Sequence, residues 1–235
     1  MGELVEFPSN GAGASGYLAL PDGGSGPGVI VVQEWWGLDS GITEMADRLA
    51  AEGFVALAPD LYHGDLAGHT EMDKASELMQ AMPMDRAARD MSGAVDFLAD
   101  HAATPTSTDG SSDIGVMGFC MGGMLTFVLA ALRPDRIKAI VPFYGFPSGD
   151  DQPDYSKITA AIQGHMAEHD DFFGPAGAHE LESKLKALGK DVTITVHPGT
   201  GHAFMAPHNA LGTRDDEAYA RIWPQAVGFL HEHLG

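Results

Sequence analysis

Basic residues are scarce in this chain. Lys and Arg number 13 against 33 Asp and Glu over 235 residues, a formal net charge of −20. A phosphate backbone needs clustered cations, so a nucleic-acid partner is not expected. Docking on an anionic membrane surface is disfavoured for the same reason. Cysteine is scarcer still: Cys120 stands alone. That excludes an internal disulfide and a thiolate metal cluster, and with them a secreted disulfide scaffold. Long apolar runs are missing too, since segments such as 28–32 and 139–141 are far too short to span a bilayer. The first ten residues carry Glu3 and Glu6 and no basic run before an apolar stretch, so they do not read as a signal peptide. No fixed-period repeat is visible. A soluble, cytoplasmic protein is the expectation.

What is present is an ordinary globular composition, 44% hydrophobic and 20% charged, on a chain long enough to bury a large core. Polar or glycine-rich stretches at 23–28, 104–112 and 147–155 read as connections and not as domain linkers. One domain over 1–235 is therefore expected. Apolar runs rich in Val and Ile occur at 28–32, 54–58, 114–117, 137–143, 160–166 and 192–196. Runs without alternation suit strands buried on both faces of a parallel sheet. Helix-period segments at 42–52, 83–98, 121–132, 178–188 and 217–234 separate them. This alternation predicts an α/β fold: a mostly parallel, doubly wound sheet with helices on both faces. Two earlier short runs, 4–7 and 17–20, flank a glycine-rich turn and predict an antiparallel hairpin at the sheet edge.

The sharpest motif is Gly118-Phe119-Cys120-Met121-Gly122-Gly123. It closes a predicted strand and opens a predicted helix, the context of the G-x-Nuc-x-G nucleophile elbow of α/β-hydrolases. Cys120 is then the candidate nucleophile, although a lone cysteine is also a common core residue. A thiol nucleophile needs a base and an orienting acid. Among the histidines after Cys120, His202 lies in Gly201-His202-Ala203-Phe204, beyond a predicted strand, where ligand sites of α/β folds gather. Asp170, with Asp171 in reserve, follows the strand between them and is the candidate acid. His165 and His169 with Asp170 also allow a metal cluster, but the pair spans a strand end and loop instead of one helix face. The first central strand ends in Gln33-Glu34-Trp35-Trp36-Gly37. In such folds the loop after this strand supplies one oxyanion donor and the residue after the nucleophile the other. These are the backbone N–H groups of Trp35 and Met121. Trp36, Tyr144 and Phe204 are candidate pocket walls, with plain core packing the alternative.

Together these pieces resemble the dienelactone hydrolase family of α/β-hydrolases. The resemblance is carried by the Gln33-Glu34-Trp35-Trp36-Gly37 segment, Ala58-Pro59-Asp60-Leu61-Tyr62, the Cys120 elbow, Phe143-Tyr144-Gly145, residues 165–173 and Gly201-His202-Ala203-Phe204. It implies an α/β-hydrolase fold and a Cys120–His202–Asp170 triad. It also implies that Glu34 contacts the resting thiol and assists its deprotonation. The implied activity is hydrolysis of a small ester or enol lactone through a thioester, with no cofactor and no metal, by a monomer or small homo-oligomer. Family members that act on dienelactones hold the substrate carboxylate with arginines, one of them shortly after the histidine. Here Ala203-Phe204-Met205-Ala206-Pro207 has none, and Arg86 and Arg89 are the remaining candidates.

Overall fold

The computed structural model of the chain describes residues 2–9, 11–101, 103–105, 112–149 and 152–235. Of the expected connections, residues 106–111 and 150–151 lie outside the described residues.

The chain enters through an antiparallel pair, β1 (Glu3–Ser9) and β2 (Ala12–Ala19), with Phe7 opposite Ala14. It continues as β3 (Gly28–Val32), α1 (Ser40–Ala51), β4 (Val55–Pro59), α2 (Met72–Ala81), α3 (Met84–Asp100) and β5 (Ile114–Phe119). Then follow α4 (Met121–Leu132), β6 (Ile137–Phe143), β7 (Ala161–His169), α5 (Pro175–Ala187), β8 (Val192–Gly201) and α6 (Asp216–Leu234). The sheet order is β1-β2-β4-β3-β5-β6-β7-β8. β2 runs antiparallel to β4, and every pair from β4 to β8 is parallel.

Every residue of β3, β4 and β5 is buried, because helices cover both faces of the central sheet. On one face Ile42, Met45 and Leu49 of α1 share a core with Ile222 and Leu230 of α6. On the other, Leu98 of α3, Leu125 of α4 and Leu185 of α5 belong to a second core. Burying one such side chain contributes roughly 1.5–3 kcal/mol, so the two cores hold the strand ends in place. Local signals agree with this packing. The Asp39 carboxylate accepts the Ile42 N–H and caps α1, and Asp215 caps α6 by accepting from Ala218, each cap contributing about 1 kcal/mol.

Three elements differ from the sequence expectation. α2 carries no apolar run, and only Ala75 of its ten residues is buried, so its periodicity is faint. β7 and β8 run past their apolar runs to His169 and Gly201. The backbone ladder between them, which pairs His169 with Gly201, extends both strands where hydrophobicity has ended. Asp170 and His202 thus become the first residues beyond two adjacent parallel strands. The order reverses at β3, which has β4 on one side and β5 on the other. Such a switch point opens a crevice at the carboxyl ends of the strands. Among the described residues no helix is long and apolar enough to cross a membrane.

Candidate active site

Five strand ends place the candidate residues at or beneath this crevice. Glu34 follows β3, Cys120 follows β5, Tyr144 follows β6, Asp170 follows β7 and His202 follows β8. Cys120 sits between β5 and α4 with φ 54° and ψ −116°, a strained conformation that only a tightly enforced turn maintains. The flanking glycines explain the enforcement. A Cβ on Gly118 would lie 2.2 Å from the Gly122 carbonyl oxygen, and one on Gly122 would lie 2.3 Å from that of Val32. Neither approach is possible for another residue, so the turn closes only with glycine on both sides.

The turn brings the thiol to His202. Cys120 Sγ lies 3.2 Å from His202 Nε2, and His202 Nδ1 lies 2.8 Å from Asp170 Oδ2. The carboxylate accepts the Nδ1–H, which leaves Nε2 as the lone-pair nitrogen that accepts from the thiol. The other oxygen, Asp170 Oδ1, accepts the N–H groups of Phe172 and Phe173, each at 2.9 Å. Burial alone would raise the Asp170 pKa, but His202 and these two amides outweigh it and hold the carboxyl below its usual value. Phe173 stacks on the His202 ring at 5.9 Å, Phe172 leans over it at 5.0 Å, and Tyr144 meets it edge-on at 5.2 Å. The imidazole is therefore fixed in orientation and tautomer.

The thiol is held neutral. Burial and then the Glu34 charge push its pKa up, Asp170 adds to this, and the Met121 N–H works in the opposite sense. Glu34 is buried, and its Oε2 accepts from His208 Nε2 at 2.7 Å. His208 Nδ1 in turn accepts the Ala210 N–H at 3.0 Å. Burial lowers the His208 pKa, but the Glu34 contact prevails and raises it. Glu34 Oε1 makes no well-formed hydrogen bond among the described residues, but the Tyr144 hydroxyl lies against this carboxylate, and burial and then Glu34 raise the Tyr144 pKa. The resemblance placed Glu34 in contact with the resting thiol. Here the thiol's hydrogen-bond partner is His202, Glu34 bonds to His208, and Glu34 acts on Cys120 through its charge.

Above Cys120 opens a pocket of about 450 Å³. Trp36 lines it, together with Trp35 and Met121. Trp36 meets Trp35 edge-on and packs against Ala67 and Ala75. Tyr144 and Phe204 do not line it. Both are fully buried one layer below, in edge contact with each other at 5.4 Å. Tyr144 instead borders a cavity of about 10 Å³ behind Glu34. Aromatic residues just past a strand end fit wall and floor equally well by sequence, and here packing beneath His202 claims both. Sequence reasoning missed Met79, Met124 and Leu211 as walls, and His208 as the partner of Glu34. Met72, Ala75 and Met79 at helical spacing were the available signal for α2.

The other candidates separate. His165 is buried between His197 and Gln163, and burial followed by the His197 charge lowers its pKa to about 3. His197 falls to about 4 for the same first reason, with Arg221 adding to it. His169 is exposed beside Glu168, so His165 and His169 do not share a site. Arg86 donates to the Leu61 carbonyl and Arg89 pairs with Asp85; neither lines the pocket.

Comparison with known proteins agrees with this architecture. The sequence model of the dienelactone hydrolase family matches residues 14–234. Protein usf of Aquifex pyrophilus is 38% identical, with both chains covered in full. A protein of Aquifex aeolicus provisionally named a carboxymethylenebutenolidase is 35% identical, again over the full length of both. The crystal structure of a Klebsiella pneumoniae protein, provisionally described as a dienelactone hydrolase, superposes with a TM-score of 0.82 at 25% identity, covering 99% of each chain. The chain belongs to the dienelactone hydrolase family and is a hydrolase of esters or lactones on an α/β-hydrolase fold.

Proposed function

We propose that this hydrolase works through Cys120 as nucleophile and a thioester acyl-enzyme. The observation that carries the reading is the continuous line from thiol to imidazole to carboxylate, 3.2 Å and then 2.8 Å, at a strained strand-to-helix elbow. His202 Nε2 takes the thiol proton as Sγ bonds to the ester carbonyl carbon. The carbonyl electrons move onto oxygen, where the N–H groups of Met121 and Trp35 receive the charge. The C–O bond then breaks, and His202 returns the proton to the departing alcohol or enol. Water, deprotonated by His202, cleaves the thioester and releases the acid and the thiol. Asp170 keeps the imidazole in the required tautomer and stabilises its cation. Glu34 keeps the idle thiol protonated, and its negative charge assists deprotonation once substrate fills the pocket by favouring the His202 imidazolium that receives the proton. Each step is complete without a metal or a cofactor, and one domain supplies every group.

The test is p-nitrophenyl acetate hydrolysis before and after iodoacetamide treatment, with an acid quench and mass spectrometry. Alkylation abolishes turnover, and the quench finds an acetyl group on the peptide carrying Cys120. Undiminished turnover by the alkylated protein would overturn the assignment.

A further inference from the structure

We propose that the pocket selects esters and lactones whose acyl part is uncharged and apolar, and that it discriminates against substrates bearing a carboxylate. This rests on the assignment of Cys120 as the nucleophile at the pocket's base. All 13 lysines and arginines fall within the described residues, and none of them lines the pocket. A carboxylate entering it would find no permanent cation. Two histidines line the pocket, and both are committed. His202 is held by Asp170 and faces the thiol, while both ring nitrogens of His208 are occupied, by Glu34 and by the Ala210 amide.

The charges that do line the pocket are negative: Glu34 and Asp171. Their repulsion of an anion is strongest where the walls exclude water, and the walls are apolar. Trp35, Trp36, Met79, Met124, Phe172 and Phe173 are among the residues that line it. Methionines adapt to irregular shapes, so the pocket fits varied apolar acyl groups. An anion there would lose its hydration with nothing in exchange. The overall charge of −20 adds a longer-range repulsion that salt screens. Arg214, whose Nη1 is buried without a partner, is tied through Nε to Asp216, which leaves Arg86 as the cation to test. Its Nε is buried and unpartnered, but its Nη2 is turned to the Leu61 carbonyl at 3.4 Å.

The experiment compares p-nitrophenyl hexanoate with mono-p-nitrophenyl adipate. The two share the leaving group and the acyl chain length and differ in a terminal methyl or carboxylate. We expect kcat/KM to favour the hexanoate by about 100-fold at low salt, with a smaller gap at high salt. Met79→Arg, on the half-buried wall of α2, narrows the gap by about tenfold through gain on the adipate. Equal or faster turnover of the adipate overturns the proposal, and its loss in Arg86→Gln would identify Arg86 as the carboxylate's holder. Protection of the thiol against iodoacetamide by hexanamide, but not by adipic acid monoamide, reads the same preference without catalysis. If the alkylated enzyme keeps its turnover while protection still favours hexanamide, the nucleophile assignment has failed and the pocket's selectivity stands.

Discussion

Two histidine–carboxylate pairs border the space around Cys120, and they are built differently. In one, Asp170 Oδ2 meets His202 Nδ1 at 2.8 Å. In the other, Glu34 Oε2 meets His208 Nε2 at 2.7 Å. The distances match, but the leftover atoms do not. Asp170 has both oxygens occupied, since Oδ1 holds two backbone amides, and its histidine presents a lone-pair nitrogen to the thiol. Glu34 has an oxygen with no formed hydrogen bond, facing only the Tyr144 hydroxyl, and its histidine has none of its nitrogens free because Ala210 occupies Nδ1. The first pair offers a basic nitrogen backed by a fixed anion. The second offers a basic oxygen steadied by a fixed donor. A paired carboxylate is therefore not one device, and what it can do depends on which member keeps an open valence.

The widest gap between the pairs lies in turnover. His202→Ala removes the nitrogen that receives the thiol proton and cuts kcat/KM for p-nitrophenyl acetate by roughly 10²–10⁴-fold. Asp170→Asn leaves the geometry but releases the tautomer, at a cost of about 10³–10⁴-fold. Asp171→Asn, one residue on and exposed at the pocket edge, costs only a few-fold. Steady-state rates of the three variants decide the matter. A larger loss in Asp171→Asn than in Asp170→Asn would transfer the orienting role to Asp171.

Glu34→Gln tests the second pair through charge. The amide oxygen still accepts from His208, so the packing is retained. The carboxylate's negative charge opposes formation of the thiolate and raises the thiol pKa. Its removal must lower that pKa, so the rate of iodoacetamide labelling of Cys120 against pH shifts to lower pH. Turnover falls about tenfold, because the neutral amide no longer favours the His202 imidazolium that receives the thiol proton. A variant with wild-type turnover and an unmoved labelling curve would reduce Glu34 to a packed carboxylate.

The two pairs were also unequally legible in the sequence. Cys120 announces itself because its turn needs glycine at 118 and 122, and that steric demand is local. Asp170 and His202 could be named because each follows a strand, even though both strands run farther than their apolar runs suggested. The parallel sheet and its edge hairpin follow from buried Val- and Ile-rich runs, and these were visible. The second pair was not. Glu34 and His208 are 174 residues apart, and His208 lies in no motif that separates it from the chain's other histidines. Its role comes from the ring-to-ring contact with His69 at 4.2 Å and from the Ala210 amide, neither of which has a local signature. Tyr144 and Phe204 show the opposite failure. Their chain position was right, but nothing local tells a pocket wall from the layer beneath.

The smallest effect belongs to His208, and it sharpens the comparison most. If its task is to hold Glu34 in place, what matters is a donor at the position of Nε2 and not an imidazole as such. His208→Ala leaves a buried carboxylate oxygen without its donor, and the side chain loses its fixed direction. His69, tied to Asp39 at 2.6 Å and tilted against His208, loses a neighbour but cannot replace that donor without abandoning Asp39. We expect kcat to fall about three- to tenfold with KM for a small ester nearly unchanged, since the pocket walls remain. His208→Gln restores a donor amide of similar reach and recovers most of kcat. Thermal unfolding of both variants separates this from simple loss of packing. If Gln fails to restore kcat while matching wild-type stability, the ring itself carries the function and the second pair is more than a holder. If Ala changes neither kcat nor the labelling curve, Glu34 is positioned by the strand end alone, and only the Asp170–His202 pair serves the thiol.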